Sequence, residues 1–182
     1  SWEANRALAI GTFHEAMVRG DEKPVRQARD KLTQVVKRVP KDHTARYELA
    51  QMHYYLKNYD QALAHIKIVL EENPTHENAL TLAGYSSQFN GQLQNGIEYF
   101  QRKLTHNPWE SNLYIPLAEM VGKQQDLHNA IKILRQALQV DPSSILLHTM
   151  IADYYQRIGN RQERQRHLKL IESIRFSMQR DQ

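Results

Sequence analysis

The chain has 182 residues, 41% hydrophobic and 24% charged, with a formal net charge of +4. That balance fits one ordinary folded domain or one short repeat array and excludes a disordered chain. No apolar run approaches the roughly 18 to 20 residues of a membrane span, and with no cysteine there can be no disulfide, thiolate metal site or cysteine nucleophile.

The start, SWEANRALAIGTF, lacks the basic-then-apolar layout of a signal peptide and has no initiator methionine. It reads as an excised or processed piece, from which any anchor or export signal would have been removed upstream of Ser1. The compartment stays open, because a cysteine-free chain suits cytosol and periplasm equally. Charge is uneven: residues 1–42 carry nine Lys/Arg against six Asp/Glu, 43–152 eight against ten, and 153–182 seven against four. So small an excess is that of a solvated surface and disfavours nucleic acid as a partner.

Six prolines occur, and four of them, Pro40, Pro74, Pro108 and Pro142, recur every 34 residues. Proline lacks the N–H that a helix interior needs, so each marks a helix end or the connection after it. The interval divides the chain into blocks 9–42, 43–76, 77–110, 111–144 and 145–178, with proline at place 32 of the first four. Each block reads as two amphipathic helices, over about places 2–14 and 18–31.

In the first block the leading helix is predicted to start near Trp2 and run one residue out of frame, with Phe13, Ala16, Met17 and Gly20 at its packing positions. The repeat units are therefore expected at about 2–42, 43–76, 77–110, 111–144 and 145–178, in a single array over 1–182. The second block supplies TARYELAQMHYYL and DQALAHIKIVLEEN, and Pro74 with Thr75 and His76 forms the turn into the third. In the fourth, Pro116 inside the leading helix predicts a kink or a late start. In the fifth, Arg164 stands at place 20 and Phe176 where proline would be, so the last helix is predicted to run on as a cap to residue 182.

Two columns of small residues accompany the prolines: Ala16, Ala50, Gly84, Ala118 and Ala152 at place 8, and Ala28, Ala62, Gly96 and Ala130 at place 20. Small side chains at both places allow two helices to approach closely. Large apolar residues fill place 24: Leu32, Ile66, Phe100, Leu134 and Leu168.

Unit length, prolines and columns together resemble the tetratricopeptide repeat, with Tyr114, Leu117, Ala118, Ala130, Leu134, Ala137 and Pro142 the fullest match. The resemblance implies an all-α, right-handed superhelical solenoid of about five helix-turn-helix units whose leading helices line the concave wall. It also implies a protein-interaction scaffold rather than an enzyme.

At about 100° per residue, places 2, 5, 9, 12 and 13 of a leading helix lie opposite its packing face. These places hold Thr44, Tyr47, Gln51, Tyr54 and Tyr55, then Asn78, Thr81, Tyr85, Gln88 and Phe89, then Asn112, Ile115, Glu119, Gly122 and Lys123. Tyrosine offers a flat surface at low entropic cost, and side-chain amides can hold an extended backbone. The candidate groove is accordingly Tyr47, Gln51, Tyr54, Tyr55, Asn78, Thr81, Tyr85, Gln88, Asn112, Ile115 and Glu119, and the expected partner is an extended or helical segment of another protein. The resemblance does not extend to the repeats that grip chaperone C-termini, since Tyr47, Gln51, Leu82, Asn112 and Pro116 replace their lysines, asparagines and arginine.

Nothing points to a catalytic centre, a small-molecule substrate or a cofactor. No two of the nine histidines are three or four residues apart, so none form a same-helix metal pair. Two other readings stay open: the partner-recognition region of a larger enzyme or membrane-anchored assembly protein, and a helical repeat that binds RNA. Leu168, Leu170, Ile171, Ile174, Phe176 and Met178 also make self-association through the last helix possible.

Overall fold

The computed structural model describes residues 1–180, so the last two residues of the predicted cap lie outside the described residues. Ten α-helices and one 3-10 turn make up the described chain, with no strand among the described residues. They divide into two compact units, Ser1–Lys103 and Leu104 onward.

The first unit contains α1 (Trp2–Arg19), α2 (Glu22–Arg38), α3 (His43–Tyr55), α4 (Tyr59–Glu72), α5 (Glu77–Phe89) and most of α6 (Leu93–His106). The early, long α1 arises as expected, and Phe13 and Ala16 are buried in a core shared with Val25, Leu32 and Leu49. Met17 and Gly20 are corrections: Met17 is 46% exposed because it lies about 40° beyond Phe13, on the rim of the face made by Ala9, Phe13 and Ala16, and Gly20 is exposed as the left-handed cap past the end of α1. A second core joins Leu63, Ile66 and Leu70 of α4 to Leu80 and Ala83 of α5. Each fully buried Leu, Ile or Phe contributes about 1.5–3 kcal/mol relative to exposure.

The second unit contains the end of α6, a 3-10 turn at Ser111–Leu113, α7 (Tyr114–Lys123), α8 (Leu127–Val140), α9 (Ile145–Arg157) and α10 (Arg161–Arg180). Here Pro116 causes a late start: α7 has ten residues where α3, α5 and α9 have thirteen, and Pro116 falls in its first turn, where a missing N–H costs nothing. In α10, Ile171 is buried and Leu168 and Ile174 are half-buried, whereas Leu170, Phe176 and Met178 are exposed.

The proline joints share a device that the spacing does not announce. Each proline carbonyl receives a side-chain donor, and in three joints that donor comes from place 4 of the following helix. Arg46 Nε donates to Pro40 O at 2.7 Å, Tyr114 Oη to Pro108 O at 2.9 Å and His148 Nε2 to Pro142 O at 3.1 Å. The remaining joint has Leu80 at place 4, and there Arg102 of α6 donates to Pro74 O at 2.8 Å. A carbonyl in a tight turn thus finds a partner whatever the local chemistry.

Candidate interaction surface

Two faces carry the candidate residues, one in each unit. In the first unit they lie on α3 and α5. Tyr54 of α3, Tyr59 at the start of α4 and Phe89 at the end of α5 form one aromatic cluster. Tyr59 and Phe89 are stacked with centroids 5.5 Å apart and planes at 24°, and Tyr54 meets them at 5.7 and 6.1 Å. Phe89 is 56% exposed, an unusual state for a phenylalanine. Burial chiefly, and then the neighbouring phenols of Tyr59 and Tyr85, raise the Tyr54 pKa above its ordinary value, so its hydroxyl stays protonated and able to donate.

The other tyrosines are held differently. Tyr47 accepts a hydrogen bond from Gln51 Nε2 at 3.1 Å and its ring lies 5.3 Å from that of His76. Tyr47 and Asn78 line a recess of about 370 Å³ together with His43, Thr44, Glu72 and His76. Tyr85 packs edge-on against the buried Phe100 at 5.0 Å, and Tyr55 against Phe13 at 6.3 Å. Tyr85 therefore supports its own hairpin, and Tyr55 ties α3 to α1 of the preceding one. Thr81 is likewise engaged: its hydroxyl donates to Glu77 O and accepts from the buried Lys103 ammonium at 2.8 Å. Gln88 is half-buried beside this wall, and Asn78 is exposed.

In the second unit, Asn112 and Glu119 are exposed and Ile115 is half-buried. Glu119, Gly122, Lys123, Tyr154 and Arg157 surround a recess of about 540 Å³ between α7 and α9. Tyr154 reaches back over α7 and donates to Ala118 O at 3.4 Å, and the Arg157 guanidinium lies 5.4 Å from the Tyr154 ring centroid. A β-carbon at Gly122 would fall 2.8 Å from the Tyr154 hydroxyl oxygen, so the glycine makes room for the ring. Helical spacing places Gly122 and Lys123 on this face but does not signal Tyr154, which stands at place 10 of its block, outside places 2, 5, 9, 12 and 13, and leans across to α7.

Among the described residues, no three His, Asp or Glu side chains are grouped to hold a metal ion. No helix in the described chain is long and apolar enough to cross a membrane.

Hairpins recurring at a constant interval, small residues at the crossings, and an outward wall of aromatic and polar residues on the leading helices define a helical-repeat protein. One family model for the tetratricopeptide repeat matches residues 21–77 and another matches 113–144. The chain therefore carries tetratricopeptide repeats in both units.

Similar folds occur among solved structures. A MamA protein superposes with a TM-score of 0.81 over 93% of this chain and 91% of that one, at 17% identity. MamA from Desulfovibrio magneticus RS-1, residue 41 to its end, gives a TM-score of 0.79 over 95% and 96% at the same identity. At such identity the likeness is one of fold. No curated protein sequence matches the chain. As a tetratricopeptide-repeat protein it is a protein-interaction scaffold in the general sense, a class whose members are generally not enzymes.

Proposed function

We propose that the first unit captures an extended or helical segment of a partner protein on the wall formed by α3 and α5. The observation that carries this reading is the cluster of Tyr54, Tyr59 and Phe89, in which a phenylalanine remains 56% exposed while its ring is fixed by stacking. A rigid aromatic surface loses little entropy on binding, which is why such residues dominate interface energetics. Beside it, Gln51, Asn78 and Gln88 supply amide donors and acceptors suited to a peptide backbone.

The test is comparative capture of partners by the immobilised protein as wild type, Phe89→Ala, Tyr54→Ala and Lys67→Ala. Lys67 is exposed on α4, outside the cluster, and serves as the control. Proteins retained by wild type and Lys67→Ala but lost with both aromatic variants are the expected result. Retention by all four would remove the assignment. Phe89→Ala is the cleaner probe, since Tyr85→Ala would also unpack Phe100.

A further inference from the structure

The last hairpin brings together two histidines that no sequence spacing connects. His148 of α9 and His167 of α10 are 5% and 6% exposed, and their Nδ1 atoms lie 2.8 Å apart. The other nitrogen of His148, Nε2, is 3.1 Å from the Pro142 carbonyl oxygen, which can only accept. Nε2 of His148 therefore carries the hydrogen, and its Nδ1 presents a lone pair. A neutral imidazole has a single N–H, so the hydrogen in the 2.8 Å contact must belong to Nδ1 of His167. One arrangement of hydrogens satisfies both bonds, and it holds His167 in the Nδ1–H tautomer.

We propose that His148 and His167 form a proton-responsive latch between α9 and α10, which accepts one additional proton and is driven apart by a second. The neutral pair holds two hydrogens, on His148 Nε2 and His167 Nδ1. A first proton from solvent adds to His167 Nε2, and the bridging hydrogen stays between the two Nδ1 atoms in a stronger, charge-assisted bond. The only nitrogen then left is His148 Nδ1, whose lone pair already receives that bridge. A second proton there sets two N–H groups head to head at 2.8 Å on two cations in contact, and the rings must separate.

The surroundings oppose protonation. Arg135 of α8 and Arg166 of α10 bring two positive charges, against the single carboxylate of Glu163, which pairs with them at 3.3 and 3.7 Å. From α9, Tyr155 adds an uncharged ring 5.9 Å from that of His167. Burial chiefly, with Arg135 among the neighbouring positive charges, lowers the His167 pKa to about 4. The latch is therefore closed at neutral pH and yields only in acid, where its opening would uncover Ile151 and Ile171.

Nitrogen-15 spectra of the histidine-labelled chain read the tautomers directly. At pH 8 the expected pattern is His148 protonated at Nε2 and His167 at Nδ1. As pH falls, one imidazolium should appear for the pair first, and amide protection in α10 should drop at least tenfold only with the second proton. His167 found as the Nε2–H tautomer at pH 8, or both rings cationic with α10 still protected, would overturn the proposal. In His148→Phe the His167 ring should revert to Nε2–H, and retention of Nδ1–H there would also sink it. Should that variant fail to fold, His148→Gln offers an amide oxygen in place of the lone pair and should preserve Nδ1–H at His167; its loss would count against the latch.

Discussion

Gly84 of α5 has the ring of Phe100 where its own β-carbon would be, and the pair is an exchange within the repeat. Every other unit has alanine at place 8 and leucine or isoleucine at place 24; this one has glycine and phenylalanine. Gly84→Ala should destabilise by about 1–3 kcal/mol through overpacking. Gly84→Ala with Phe100→Leu should recover most of the loss, giving a favourable coupling in a double-mutant cycle of urea melts. Simple additivity of the two costs would refute the exchange.

Lys57 and Gln125 adopt φ of 60° and 67°, and Gly91 and Gly159 hold the same place in their own units with φ of 75° and 78°. A left-handed non-glycine residue costs roughly 1–2 kcal/mol, partly offset by the chain entropy that glycine loses on folding. Lys57→Gly and Gln125→Gly should each stabilise by about 0.5–1 kcal/mol in thermal melts, and Gly91→Lys should lose a similar amount. A destabilised Lys57→Gly would show that its side chain contributes more than the strain it carries.

Asp42 serves two elements: its carboxylate accepts from Ala45 N at 2.9 Å at the start of α3 and from Arg6 of α1 at 2.8 Å. Removing such a cap costs about 0.5–2 kcal/mol. Asp42→Ala should lose that amount plus the tie to α1, whereas Asp42→Asn keeps the cap and should lose less. Equal losses in chemical denaturation would mean that the ion pair dominates.

His53 is 9% exposed and stacks on His65 at 5.6 Å. Burial first, and then the charges of His65 and Arg29, lower its pKa from 6.5 to about 4. Between these values the unfolded chain binds a proton that the folded chain refuses, so the stabilisation is complete above about pH 6.5 and is lost as pH falls towards 4. His53→Phe should shrink the fall in melting temperature between pH 7 and 5. His167 acts in the same direction, so part of the fall should remain.

How far the sequence could be read depended on whether an effect travels along one helix or between helices. The 34-residue interval located the hairpins, and Pro116 signalled the late α7, because both act through local backbone chemistry. Tyr54 and Phe89 were placed on one wall by helical angle alone. The same angle does not reach Tyr59, because it belongs to a trailing helix, α4, and joins Phe89 of α5 and Tyr54 of α3 in a cluster that spans three elements. Angle alone also could not tell that Tyr55 turns onto Phe13. His148 and His167 fell outside any same-helix rule, since only the crossing of α9 and α10 brings their rings together. Likewise Arg46, Tyr114 and His148 share a place and a task but no common chemistry, which a search for recurring residue types passes over.

Two residues after each joint proline stands the residue that starts the next helix, and these differ. Asp42, His76 and Ser144 accept from the backbone N–H three residues on through a carboxylate, an imidazole nitrogen and a hydroxyl. Glu110 makes no such cap, and at that joint the helix begins late. The unit lengths repeat, but the fasteners do not. A carboxylate accepts as an anion, an imidazole nitrogen through the single lone pair of its ring, and a hydroxyl as a neutral group that can also donate. Replacing Asp42, His76 or Ser144 by alanine should therefore fray the start of α3, α5 or α9 by itself and by a different amount, a set of local events that amide exchange can follow one helix at a time.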